Sequence, residues 1–135
     1  MFLVCPDGWS KFDLSCYTLV YKRLTWSSAE GYCNELGGHL ASVHSSEEND
    51  FIFGLVDKQK VWIGANDLNT EGFWVWSDGS AFDYREWRSG EPNNMGKEGE
   101  NCGHLKHHDD HSKDWNDIQC SHTLNFVCTL LLENE

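Results

Sequence analysis

The chain has 135 residues, 39% of them apolar, with seven Trp, seven Phe and four Tyr, which suits one globular core and excludes a disordered polymer. Ten basic residues face 22 acidic ones for a formal net charge of −12, a balance that excludes nucleic acid and anionic membrane surfaces as partners. No apolar run approaches the roughly 20 residues needed to cross a bilayer, so no membrane insertion is expected.

The opening Met1-Phe2-Leu3-Val4 is too short for a signal peptide and lacks its basic segment, so the expected form is a mature chain. Six cysteines, an even number, fit an oxidising compartment with three disulfides and a secreted or extracellular location. They allow fifteen pairings. No Cys-x2-Cys pair supports a zinc site.

From Asp7-Gly8-Trp9 to Tyr17-Thr18-Leu19-Val20-Tyr21, aromatic and branched residues predict a hairpin and a strand. Thr25 or Ser27 opens a helix, with Ser27-x-x-Glu30 as a capping box. Its apolar residues Trp26, Ala29, Tyr32, Cys33 and Leu36 keep the helical period, and Gly37-Gly38 ends it. A short strand over His39-Leu40-Ala41-Ser42-Val43 leads to a second helix, capped by Ser45-x-x-Glu48 and buried along Phe51, Ile52, Leu55 and Val56. Val61-Trp62-Ile63-Gly64 and Phe73-Trp74-Val75-Trp76 read as strands. Between and after them, from Ala65 to Asn101, lie long aperiodic stretches rich in Gly, Asn, Asp and Ser. Loops of that length in a compact domain are usually functional. Two helices on a small sheet, followed by loops, give an α+β class and a single domain over 1–135.

The chemistry concentrates in Glu91-Pro92-Asn93, in Glu100 before Cys102, and in Trp115-Asn116-Asp117 before Cys120. Carboxylates and side-chain amides are the hard oxygen donors that calcium prefers. An X-Pro bond is the kind that can be cis at modest cost, and a cis bond here would turn both neighbouring side chains toward one point. A loop presenting an acceptor, a donor and an ion suits hydroxyl groups, and so a sugar.

These residues resemble a known family. Trp62-Ile63-Gly64, Glu91-Pro92-Asn93, Trp115-Asn116-Asp117 and cysteines 33, 102, 120 and 128 match, in order and spacing, a C-type lectin-like carbohydrate-recognition domain over nearly the whole chain. Cys5-Pro6-x-Gly8-Trp9 with Cys16 is similar to the N-terminal hairpin of its long form. The resemblance implies a double-loop fold with two helices on small antiparallel sheets. It also implies disulfides Cys5–Cys16, Cys33–Cys128 and Cys102–Cys120. By the same resemblance, Glu91, Asn93, Glu100, Asn116 and Asp117 hold the calcium ion that binds sugar. A second calcium position takes Asp67, Glu71, Asn94 and Glu100, with Asn101 nearby. Asn94 stands where many members carry an aspartate. Glu91-Pro92-Asn93 is the version that goes with mannose-type sugars, whereas Gln-Pro-Asp goes with galactose.

Vicinal equatorial hydroxyls fit such a site, because each can coordinate the ion, donate to a carboxylate and accept from an amide. The site is shallow, so single-sugar affinity is expected near millimolar, roughly −4 kcal/mol, with avidity supplied by a homo-oligomer. Met95 and Trp87, in the loop region, are the candidate sugar contacts, while Trp62, Trp74, Trp76 and Trp115 are expected in the core. His104-Leu105-Lys106-His107-His108-Asp109-Asp110-His111 reads as a solvated loop. The alternative is a transition-metal site at His107, His108 and His111. No Gly-x-Ser-x-Gly elbow, phosphate loop or dinucleotide fingerprint is present, so binding and not catalysis is expected. Rival readings put the same fold to work on ice, mineral or protein, or change its sugar to galactose.

Overall fold

The strand Val61–Asn66 is buried at every position, so it needs neighbours at both edges and on both faces. A computed structural model, which describes residues 4–92, 99–107 and 113–132, shows what they are. Among the described residues the elements run β1 (Ser10–Phe12), β2 (Ser15–Leu24), α1 (Trp26–Glu35), β3 (His39–Leu40), α2 (Ser46–Val56) and β4 (Val61–Asn66). They continue with β5 (Val75–Trp76), β6 (Cys102–His107), β7 (Lys113–Ile118) and β8 (Leu124–Leu131).

The strands form a sheet in the order β1-β2-β8-β4-β6-β7, with β3 on β8 and β5 on β4. All pairings are antiparallel except one: β4 runs parallel to β8, with Val61 opposite Asn125 and Trp62 opposite Phe126. The expected small antiparallel sheets are therefore one mixed sheet. Periodicity marks a strand but not its partner, and the partner of β4 is set by the crossover through α2.

Alternation along the strands divides the core between the two faces. Val61, Ile63 and Ala65 of β4 and Val127 of β8 pack with Ile52, Phe53 and Val56 of α2. Trp62, Phe126 and Cys128 pack with Trp26, Ala29 and Cys33 of α1. Trp26 Nε1 donates to the Ile63 carbonyl and Trp62 Nε1 to the Leu24 carbonyl, both at 2.9 Å. Those bonds satisfy the polar end of each buried indole. Disulfides join Cys5–Cys16, Cys33–Cys128 and Cys102–Cys120, as the resemblance implies. Cys33–Cys128 ties α1 to β8 across a sequence separation of 95, a loop whose closure removes about 4–5 kcal/mol of unfolded-chain entropy.

The helix starts differ from the expectation in one respect. Of the two openings expected for α1, Thr25 is the N-cap, accepting from the Ser28 N–H, and the expected Ser27-x-x-Glu30 box does not form. Glu30 is not part of a capping box. Its carboxylate accepts from the Leu40 N–H at 2.9 Å, Ser77 Oγ at 2.8 Å and Asn34 Nδ2 at 2.8 Å, and lies 2.6 Å from His39 Nδ1. It pins α1 to β3 and to the segment after β5. Ser45 does cap α2, accepting from the Glu48 N–H, while Glu48 reaches back to the His44 N–H at 2.7 Å. Leu36, expected in the buried stripe, is the exposed C-cap of α1.

Gly37 ends α1 at φ +96°, a region that L side chains rarely adopt. Gly38 is demanded by space: a Cβ there would stand 1.9 Å from the Thr129 carbonyl oxygen. Gly38→Ala should therefore lower stability by about 3 kcal/mol in a urea titration. Gly31→Ala, with nothing within 4 Å of the new methyl, should raise it by up to about 1 kcal/mol.

Candidate functional site

The described part of the long segment between β4 and β6 contains little regular structure, so side chains must hold it. Trp115, fully buried on β7, is the hub. Its ring meets Trp76 at 5.4 Å, Trp87 at 5.5 Å, Tyr84 at 6.0 Å and Phe82 at 6.1 Å, all edge-on. Its backbone adds two ties: the N–H donates to the Glu86 carbonyl at 2.8 Å, and the carbonyl accepts from the Arg88 N–H at 2.9 Å. Residues 86–88 thus lie against β7, and a turn from the Arg88 carbonyl to the Glu91 N–H, 2.8 Å, follows at once. The Glu91–Pro92 bond is cis.

That path delivers Glu91 to Asp117, two residues beyond Trp115 on the same strand. Glu100 arrives from the other side. The Asn101 carbonyl accepts from the Asp67 N–H at 3.1 Å, next to the end of β4, and Cys102 is bonded to Cys120. One carboxylate oxygen from each of Glu91, Glu100 and Asp117 lies within 4.8 Å of the others. Asp117 is buried, and the other two are half-buried. Asn116, the adjacent residue, accepts the Asp117 N–H on its Oδ1 at 2.9 Å.

Asp67, Glu71 and Asn101 form a second group. Asp67 is 2% exposed and its Oδ2 accepts from the Gly72 N–H at 2.8 Å. In the orientation its neighbours require, the Asn101 amide nitrogen donates to Asp67 Oδ1 and Glu71 Oε1, each at 3.0 Å. Desolvation first, then the hydrogen bond and charge of Asp67 and the charge of Asp117, hold the Glu71 carboxyl above its usual range. The two groups of carboxylates are therefore electrostatic neighbours.

The family model for the lectin C-type domain matches residues 22–130. The chain belongs to the C-type lectin domain family. It is 41% identical over 129 residues to the mouse low affinity immunoglobulin epsilon Fc receptor, covering 95% of this chain and 38% of that protein. The chain thus spans well under half the length of that relative. The crystal structure of the cow C-type carbohydrate-recognition domain of CD23, determined in the presence of GlcNAc2Man3 oligosaccharide, superposes with a TM-score of 0.88 at 37% identity, covering 97% of this chain and 98% of that one. A calcium-independent type II antifreeze protein superposes with a TM-score of 0.87 at 34% identity, covering 97% of each chain. The C-type lectin fold therefore serves relatives of both kinds.

Of the expected ligands in this lectin domain, Glu91, Glu100, Asn116, Asp117, Asp67, Glu71 and Asn101 fall in the two groups above. Asn93, Asn94 and Met95 lie outside the described residues, as do His108 and His111. Trp87, a candidate sugar contact, is half-buried. Its ring packs 4.7 Å from Trp74 and 5.5 Å from Trp115 as part of the loop's own core. Nor is the whole histidine segment a loop, because its backbone from His104 to His107 is β6, paired to β7. His104 is fully buried, with its ring 6.3 Å from that of Trp62.

One positioning residue was not singled out in the sequence. Asn49, 2% exposed inside α2, accepts Trp115 Nε1 at 2.9 Å and donates to the Lys113 carbonyl at 2.7 Å. A polar residue on the buried face of a helix was the one clue to it.

In calcium-free buffer, a carboxyl-carbon NMR titration should place the Glu71 midpoint above the usual glutamate value. Because its folded pKa is raised, ionised Glu71 disfavours the fold at neutral pH, and that cost is relieved on acidification through the raised value. Asp67→Asn should move the Glu71 midpoint down.

Proposed function

We propose that this domain binds carbohydrate in a calcium-dependent manner, taking vicinal equatorial hydroxyls of mannose-type sugars. The observation that carries the reading is the convergence of Glu91, Glu100 and Asp117 at the end of the long loop. Three carboxylates at that separation repel one another unless a cation offsets them. The donors are all oxygen, with no thiolate or imidazole among the three, which fits a hard cation such as calcium better than zinc or copper. Glu91, Asn93, Glu100, Asn116 and Asp117 would hold that ion, and Asp67, Glu71, Asn94 and Asn101 a second one.

Bound there, calcium supplies coordination positions that two adjacent hydroxyls can fill in place of water. The chain's own residues do the orienting. Glu91 and Glu100 accept hydroxyl protons, and the amide NH2 groups of Asn93 and Asn116 donate to hydroxyl oxygens. Asn116 Oδ1 accepts from the Asp117 N–H and keeps a second lone pair for the ion, which leaves the NH2 to donate to a ligand. Met95 is assigned a contact beside the sugar. His107, His108 and His111 are assigned no metal. The domain, taken as residues 1–135, works as a secreted or extracellular binding module whose avidity comes from homo-oligomers, and it performs no catalysis. The similarity to the CD23 domain, whose structure was determined in the presence of a mannose-bearing oligosaccharide, supports the sugar class.

Retention on mannose-agarose in calcium, abolished by excess EDTA, is the expected result. Elution at acid pH should match elution by EDTA, because protonated carboxylates release the ion. Glu91→Gln combined with Asn93→Asp should shift preference toward galactose by about tenfold, the value of one hydrogen bond near 1.4 kcal/mol. Retention unaffected by EDTA, or none in calcium, would sink the proposal and favour an ion-free surface function like that of the antifreeze relative.

A further inference from the structure

A second polar constellation lies outside the carboxylate groups. A cleft of about 490 Å³ is lined in part by Tyr17, Ser42, His44, Glu48, Asp78 and Ser80. Here His44 Nδ1 is 2.8 Å from Asp83 Oδ1, while His44 Nε2 is 3.0 Å from Ser80 Oγ and 3.2 Å from Ser42 Oγ. By distance alone this is a serine–histidine–aspartate relay of the hydrolytic kind.

The protons argue otherwise. Ser42 Oγ donates to Asp78 Oδ2 at 2.6 Å, and Ser80 Oγ donates to Asp78 Oδ1. Both hydroxyl protons are directed at Asp78, so each serine offers His44 only a lone pair. The Asp83 carboxylate is likewise an acceptor. Both ring nitrogens of His44 therefore face acceptors, and only the imidazolium donates from both. A neutral ring can satisfy one side alone.

We propose that His44 is a pH-sensitive clamp that, as the imidazolium, ties segment 78–83 to the turn before α2 from both sides. Loss of the ring proton breaks one of the two ties; imidazole is the side chain whose ordinary charge change falls in a window of about pH 5–8. Every element around the ring bears on this. From the segment after β5 come Asp78, Ser80 and Asp83, and from β5 the Trp76 ring at 6.2 Å. From α2 comes Glu48, which accepts the His44 N–H and also the hydroxyl of Tyr17 on β2. His39 of β3 lines the same cleft. Burial, then Glu48, pushes Tyr17 well above its usual range, so it stays neutral throughout the window. The hydrogen bond from His44 is the first cause holding Asp83 below the usual carboxylate range, so Asp83 titrates beneath the window. The His44 side chain is 33% exposed and that of Asp83 59%, so the ring can exchange its proton with solvent. The clamp is independent of the sugar reading.

The test is hydrogen exchange of the backbone amides of residues 78–84 in the full chain, corrected for the intrinsic pH dependence of exchange. Protection should fall by about tenfold between pH 5 and pH 8.5 in the wild type, the size of one charge-assisted hydrogen bond. In His44→Gln it should be flat. If that variant does not fold, Asp83→Asn at the exposed rim should show a reduced dependence. Wild-type protection that does not change with pH would overturn the proposal. So would labelling of Ser80 by a fluorophosphonate, since a nucleophilic serine requires its proton on the imidazole and not on Asp78.

Discussion

The long loop depends on the burial of one indole. Trp115 belongs to β7 by its hydrogen bonds and to the loop by its packing, with Trp76, Phe82, Tyr84 and Trp87 arranged around it. Edge-to-face aromatic pairs contribute about 0.5–1.5 kcal/mol each beyond their buried area. Several of them meeting on one ring give an aperiodic chain the order that a ladder of backbone bonds gives a strand. Asn49 fixes the orientation of that ring from α2, so a side chain of the first half of the fold helps to position the loop of the second.

The same strand then carries the chemistry. Asp117 follows Trp115 by two residues, which in a strand is the same face, and both are buried. The aromatic cluster therefore sets where the Asp117 carboxylate stands and brings Glu91 to it through residues 86–88. An arrangement that gathers like charges works against folding. In the neighbouring group, desolvation first, then the hydrogen bond and charge of Asp67 and the charge of Asp117, raise the Glu71 carboxyl. Proteins retain such conflicts where function needs them, and here a bound cation would relieve the repulsion.

Much of this was legible in the residues. Helical periodicity located α1 and α2, Gly37-Gly38 marked the end of α1, and the order of motifs pointed to the C-type lectin fold and its disulfides. Other features were not. The parallel pairing of β4 with β8 is a long-range relation that no local pattern encodes. Glu30 stood in the right place for a capping box, yet its carboxylate satisfies Leu40 and Ser77, which only the folded chain brings near. Trp87 looked accessible because it lies in a loop, but that loop has a core of its own. His104 was hidden in a run of polar residues although β6 places it inside.

In the proposed function, Glu91, Glu100 and Asp117 converge around a calcium ion. Isothermal calorimetry of calcium binding to the wild type and to Asp117→Asn tests it most directly. The wild type should bind saturably with a dissociation constant of about 10⁻⁴–10⁻³ M, typical of extracellular modules, and the variant should lose that binding. A wild type that takes up no calcium, or a variant that binds it equally well, would rule out a calcium site at these three carboxylates.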